Sequence, residues 1–185
     1  MKKLTLIGDS IRLIGYSAKV PKMLEGEYEV YQPTDNCRFS KYTLRGVLHE
    51  WKNDIIGSDI IHWNNGLWDI CDLGDGVFTS KEEYKANMVR VAKLLLSYGK
   101  VVIFATTTPV SKDNSHDKNE RIIEYNEFIA PVLSEMGILI NDLHSVVYPK
   151  IDEYICDDKI HLTDSGAKAC AEKVVAAIRE AEKLL

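Results

Sequence analysis

No stretch of the 185-residue sequence approaches the roughly 20 consecutive apolar residues that a membrane-spanning helix needs. Nor does the start qualify as a secretory leader. Met1-Lys2-Lys3 and Leu4-Thr5-Leu6-Ile7 imitate one briefly, but Gly8, Asp9, Ser10 and Arg12 interrupt the apolar run too early. The expected compartment is the cytoplasm, with no membrane partner. Basic excess is also missing: 23 Lys and Arg face 28 Asp and Glu, a formal net charge of −5. That balance disfavours nucleic acid as a partner, since phosphate binding needs a basic surface. The four cysteines (Cys37, Cys71, Cys156, Cys170) contain no C-x-x-C pair and no ligand spacing, so reduced thiols are expected rather than disulfides or zinc. Absent too are the G-x-G-x-x-G and G-x-x-x-x-G-K-[ST] phosphate cradles, the H-E-x-x-H zinc pattern and the G-x-S-x-G elbow. No repeat or low-complexity linker divides the chain.

What is present is ordinary globular composition, 45% hydrophobic and 28% charged, which fits a single domain over residues 1–185. Short runs rich in Val, Ile and Leu, bounded by turn formers, predict strands at Lys3–Ile7, Glu27–Tyr31, Asp59–Trp63, Lys100–Ala105 and Gly137–Asn141. Between them lie segments of helical period. One begins at the capping-box pattern Ser80-Lys81-Glu82-Glu83, closes before Gly99, and buries Tyr84, Met88, Val91 and Leu95. The last starts after Thr163 and buries Ala167, Cys170, Val174, Ile178 and Ala181. A third, from about Asn119 to Met136, contains Pro131, which should kink or break it. Such alternation implies right-handed crossovers and a parallel sheet covered on both faces, with ligands at the carboxyl ends of the strands.

Several chemically distinctive residues stand at those ends. Gly8-Asp9-Ser10 follows the first strand, where a serine at a helix start suits a nucleophile, because nearby N–H groups stabilise an oxyanion. Taken alone, Ser10 reads more readily as an N-cap, which is common at such ends. Asp158-Lys159-Ile160-His161 precedes the last helix; the spacing lets a carboxylate reach His Nδ1 while Nε2 faces outward, as a general base requires. Its plainer reading is a surface turn, and Asp157 beside Asp158 adds the idea of a weak divalent site. Asn64-Asn65-Gly66 ends the third strand, where an amide can donate to an oxyanion or simply form a turn. Asn36-Cys37-Arg38-Phe39-Ser40 follows the second strand, and its N–H groups can line the same rim.

In this combination the chain resembles the SGNH-hydrolase superfamily, the GDSL-type esterases and lipases. Gly8-Asp9-Ser10 matches the first block, with Ile11 for the usual leucine. Asn64 matches the asparagine of the third block, with Asn65 for the usual aspartate. Asp158 and His161 match the D-x-x-H of the last, and Leu162-Thr163 continues it. The second block departs: Arg38 stands where the family has glycine after an Asn-x pair. A backbone donor survives that replacement if φ stays negative.

The resemblance implies a three-layer α/β/α sandwich with a five-stranded, flavodoxin-like parallel sheet, and a serine esterase acting on small esters without metal or organic cofactor. Ser10 would be the nucleophile, His161 the general base and then acid, and Asp158 its orienting carboxylate. The oxyanion hole would comprise the N–H groups of Ser10 and Arg38 and the amide of Asn64. Asp9, Asn65, Trp68 and Phe78 are the candidate substrate contacts. The Gly66–Thr79 and Thr106–Lys118 segments would rim an open pocket, and aromatic residues there suit a carbohydrate O-acetyl ester. Thioesterases and lysophospholipases belong to the same family. Two rivals come from other classes: a non-catalytic carbohydrate- or small-molecule-binding module, and a metal-dependent hydrolase using Asp9, Asp157, Asp158 and His161. Oligomeric state is not legible.

Overall fold

Strands form where the β-branched and leucine-rich runs stand between turn formers: β1 (Lys2–Ile7), β2 (Tyr28–Tyr31), β3 (Ser58–Asn64), β4 (Gly99–Ala105) and β5 (Leu139–Asn141). The structure, a computed structural model, describes residues 1–185. All five strands pair in parallel in the order β2-β1-β3-β4-β5. The central strands β1, β3 and β4 are buried on both faces, which is why their sequences run apolar without alternation. Even the hydroxyl of Thr5 is satisfied there, against Ser58 Oγ at 2.7 Å.

Helices fill the connections. A six-residue π-helical turn (Ile11–Tyr16) and α1 (Lys19–Met23) link β1 to β2; α2 (Ser40–Leu48) and α3 (Lys52–Ile55) link β2 to β3. Then come α4 (Leu67–Ile70) and α5 (Lys81–Tyr98) before β4, and α6 (Asn119–Glu135) before β5. The chain closes with α7 (His144–Val147), α8 (Ile151–Tyr154) and α9 (Asp164–Glu182). The chain steps one way across the sheet from β1 to β2 and the other way from β2 onward. Right-handed crossovers therefore put the π-turn and α1 on one face and α2, α5 and α6 on the other. The packing agrees: α5 lies against both α2 and α6, while α9 packs on α1, the π-turn, α7 and α8. The result is an α/β/α sandwich with its strand-order reversal between β1 and β3, where such folds hold their ligands.

The predicted helix faces are the buried ones. Tyr84, Met88, Val91 and Leu95 of α5, and Ala167, Cys170, Val174, Ile178 and Ala181 of α9, belong to a cluster of 45 buried hydrophobic residues. Ser80 and Thr163 cap their helices by accepting the N–H groups of Glu83 and Gly166. Pro131 departs from expectation, because α6 runs unbroken across it. The proline is exposed, so the carbonyl it leaves unpaired meets water, while Ile122, Tyr125, Ile129 and Leu133 hold the helix down on the opposite side. No helix is long and apolar enough to cross a membrane.

One polar residue of the core sets an acid limit on the fold. His62, in the middle of β3, is fully buried. Its Nε2 lies 3.1 Å from Asn141 Nδ2, and its Nδ1 has no hydrogen-bond partner. Burial pushes its pKa from 6.5 down to about 3. Below pH 6.5 the unfolded chain takes up a proton that the folded one refuses, so stability falls as pH falls. Near pH 4.5 the cost is about 3 kcal/mol. Urea titrations near pH 7 and pH 4.5 should show the wild type losing about that much more than His62→Leu. Equal losses would remove His62 as the cause.

Candidate active site

The site begins with a close approach between two strands. The register that sets Ile7 beside Trp63 brings the next residues, Gly8 and Asn64, together at the carboxyl edge. A Cβ on residue 8 would lie 1.9 Å from Asn64 Oδ1, so only glycine fits. The Asn64 amide is held from both ends: Tyr16 Oη donates to Oδ1 at 2.9 Å, and Nδ2 donates to Asp9 Oδ1 at 2.8 Å. One hydrogen of Nδ2 remains for another acceptor.

Asp9 is buried and accepts from the Ile11 N–H as well as from Asn64. Burial pushes its carboxyl above the usual range, while those two donors and the nearby Arg12 charge pull it back. Asp9 thus performs the capping that Ser10 was a candidate for. The Ser10 side chain makes no capping hydrogen bond, and it lines a surface cleft. The helix it opens is a single π-turn, so the local field is that of a few first-turn N–H groups rather than of a long dipole.

The Asp158–His161 segment is a tight hairpin closed by the Ile155–Leu162 bridge and by Cys156 N–H donating to His161 O at 2.7 Å. Lys159 takes a left-handed φ of 72° at its tip. Asp158 Oδ1 accepts the N–H groups of Ile160 and His161 at 3.0 and 2.9 Å, leaving Oδ2 to meet His161 Nδ1 at 2.7 Å. Partial burial alone would raise the Asp158 carboxyl, but these hydrogen bonds hold it below the usual range. His161 lines the same cleft as Ser10. Ser10 Oγ makes no hydrogen bond to the imidazole, a separation common in ligand-free sites. Asp9, Asp157, Asp158 and His161 do not come together as a ligand set.

The loop after β2 is built differently from expectation. Arg38 has φ 46°, left-handed and strained for a residue with a side chain, and its N–H is donated to Asn36 Oδ1 at 2.9 Å. The negative φ required for its N–H to face a neighbouring oxyanion is therefore not met. Its guanidinium turns away to lie over the Tyr42 ring at 4.9 Å and beside Asp35 at 3.7 Å. Asn65 is fully buried, accepting from Trp63 Nε1 at 2.6 Å and donating to Arg38 O at 2.8 Å. Asp9, Asn64 and Asn65 are all buried and none lines the cleft; Asp9 Oδ1 and both polar atoms of Asn65 bond the scaffold behind it, so burial overturns Asp9 and Asn65 as substrate contacts, while Asn64 keeps one amide hydrogen.

Trp68 and Phe78 do line the cleft, which encloses about 470 Å³. Between them stands Phe39, edge-on to both at 5.3 and 5.5 Å. Phe39 is fixed by its neighbour: Asp69 accepts both the N–H and the hydroxyl of Ser40, at 2.9 and 2.6 Å. Burial pushes the Asp69 carboxyl up to about 6. Leu13, Ile14, Leu67, Leu73 and Ile160 complete a mostly apolar wall, with Asn36, Cys71 and Asp117 as its other polar members. Sequence reasoning missed Phe39, Cys71 and Asp117 as individuals, although it placed their three segments at the rim.

No protein-family model matches the chain, and no curated protein matches it. Solved structures do share the fold. The acetyl xylan esterase AlAXEase is 18% identical, with 95% of this chain and 99% of that chain covered and a TM-score of 0.79. A lipase/acylhydrolase from Enterococcus faecalis is 20% identical, with 97% and 96% covered and a TM-score of 0.79. A catalytic mutant of an acetylxylan esterase from Geobacillus stearothermophilus is 15% identical, with 95% and 93% covered and a TM-score of 0.80. The architecture is the one implied by the resemblance to SGNH hydrolases.

The Gly8–Asn64 approach makes a direct prediction. Gly8→Ala must drive the Asn64 amide off Tyr16 and Asp9, leaving buried polar groups unpaired at a cost of about 2–4 kcal/mol. Gly15→Ala, whose Cβ would meet only Leu162 Cδ1 at 3.3 Å, should cost under about 1 kcal/mol. Urea midpoints of the two variants decide the matter, and equal shifts would contradict the contact.

Proposed function

We propose that the protein is a serine esterase that cleaves small esters by acyl transfer to Ser10. One observation carries this reading: the Asp158–His161 pair opens onto the same apolar cleft as the strand-end serine. In the proposed cycle His161 Nε2 takes the Ser10 Oγ proton as the oxygen attacks the ester carbonyl. Asp158 holds the opposite Nδ1–H and stabilises the imidazolium that forms. The imidazolium then protonates the leaving alcohol, and water repeats the sequence on the acyl-enzyme. The oxyanion is assigned to the Ser10 N–H and the spare Asn64 amide hydrogen, each such donor being worth about 3–4 kcal/mol. The Arg38 N–H joins them only by leaving Asn36 Oδ1.

The apolar wall favours esters with hydrocarbon or aromatic groups, since it offers few partners to a polyhydroxylated chain. A carbohydrate O-acetyl ester is the second reading. It is supported by the Phe39–Trp68–Phe78 edge, on which a sugar ring can stack, and by the acetylxylan esterases that share the fold.

Ser10→Ala should fold normally and lose roughly a thousandfold or more in kcat on p-nitrophenyl acetate, as removal of a triad member does. A serine-directed organophosphorus reagent should give one adduct at Ser10 by mass spectrometry. Near-wild-type turnover in that variant would sink the proposal, and wild-type binding without turnover would favour a binding module. The general-base role makes His161→Ala lose about as much kcat as Ser10→Ala on the same ester. Asp158→Asn should keep the fold and lower kcat strongly by favouring the wrong tautomer. A silent Asp158→Asn beside an inactive His161→Ala would mean a Ser–His dyad.

A further inference from the structure

The cleft contains one polar atom that the proposed chemistry leaves unused. Asp117 is 4% exposed and lines the cleft, yet its Oδ1 has no hydrogen-bond partner in the protein. Buried carboxyl oxygens are rarely left so, because each unpaired polar group costs free energy.

The placement is rigid. Asn114 Oδ1 accepts the N–H groups of His116 and Asp117 at 2.9 and 2.8 Å. The same loop is tied to the catalytic hairpin, because the N–H of Ser111 donates to Lys159 O at 2.9 Å. Asp117 is therefore held in register with His161 rather than left to drift. Of the lining residues Cys71 adjoins it, and its thiol is a weak donor at best.

We propose that Asp117 determines specificity: its Oδ1 accepts a hydrogen bond from a neutral hydroxyl on the substrate, so preferred esters carry one hydroxyl on an otherwise apolar body. This rests on the esterase reading and deepens it. A hydroxyl fits better than an ammonium because the Arg121 guanidinium already places positive charge near the carboxyl. Burial raises the carboxyl, which also lowers the demand for a charged partner. Discrimination follows from pairing: Oδ1 is closed to solvent, so a substrate hydroxyl that reaches it supplies its only hydrogen bond, and a substrate without one leaves it unpaired, the situation in which enzymes reject analogues most strongly.

The test uses two matched pairs. One is para-hydroxymethylphenyl acetate against para-methoxymethylphenyl acetate, with the hydroxyl on the alcohol side. The other is the p-nitrophenyl esters of omega-hydroxyhexanoic and omega-methoxyhexanoic acid, with it on the acyl side. In at least one pair the wild type should prefer the hydroxyl by about tenfold or more in kcat/KM, expressed mainly in KM. Asp117→Leu should erase that preference, and Asp117→Asn, which keeps an acceptor oxygen, should restore part of it. Asp117→Ala serves if the leucine variant does not fold. No preference in either wild-type pair overturns the proposal, as does a preference that survives in Asp117→Leu. A para-aminomethyl ester that outperforms the hydroxymethyl one overturns the neutral-hydroxyl assignment. To separate this from failure of the esterase reading, para-hydroxymethylphenol and para-methoxymethylphenol are titrated into Ser10→Ala by calorimetry. Absence of ester turnover in the wild type defeats the esterase reading alone. Equal binding of the two phenols, with no acyl-side preference, defeats the role of Asp117 alone.

Discussion

The arrangement at the carboxyl edge of the sheet depends on a buried guanidinium. Arg12 is 1% exposed and forms no ion pair within salt-bridge distance. It instead donates to three backbone carbonyls: Pro33 O at 2.8 Å, Asp35 O at 2.8 Å and Gly8 O at 3.2 Å. Only a rigid fork of donors can serve carbonyls from two separate segments at once, which is the task arginine performs and lysine does not. Burying the cation is costly, and the hydrogen bonds with the nearby Asp9 charge offset that cost. The gain is positional. Gly8 stays beside Asn64, and the loop after β2 stays beside Gly8, with Cys37 N–H donating to Gly8 O at 3.1 Å.

Two layers of polar residues follow from that anchor, and they explain why neighbours in sequence have opposite fates. Along the end of β3 successive side chains alternate between faces. Asn64 turns toward Tyr16 and Asp9, whereas Asn65 turns toward Trp63 and the Arg38 carbonyl. Asp9 and Ser10 divide in the same way across the start of the π-turn: the carboxylate goes inward as the cap and the hydroxyl outward to the cleft. The rear layer, Asp9, Tyr16 and Asn65, makes the front layer rigid without touching a ligand. A hydroxyl mounted on such a scaffold is held in place with little freedom to reorganise.

Much of this was legible because it depends on local chemistry. The apolar runs of β1, β3 and β4, the caps at Ser80 and Thr163 and the D-x-x-H hairpin are each encoded within a few residues. What was not legible depends on distant partners. Nothing within the Asn64-Asn65 pair says which amide faces inward; Tyr16, 48 residues away, and Arg38, 27 residues away, decide it. The backbone of Arg38 follows Asn36, whose side chain captures its N–H and draws φ positive, a turn chemistry available to asparagine. Pro131 failed as a breaker because tertiary burial of one helix face outweighed a single lost bond.

The same separation governs how the cleft can change. Ser10, Asn64 and the rear layer stand on strand ends and the π-turn, whereas most of the wall comes from the 66–79 and 106–118 segments and Phe39. Those segments expose Leu73 and Phe78 at 65% and 53%, so their side chains face solvent as much as protein. Replacing them alters which groups line the cleft without disturbing Gly8, Arg12 or the Asp158–His161 contact, since distant sites act nearly independently. Asp117 differs from its neighbours in this respect. It is buried, its loop is bonded to the turn that carries His161, and its Oδ1 has no partner in the protein. It is therefore the wall residue whose position is set by the same framework that positions His161.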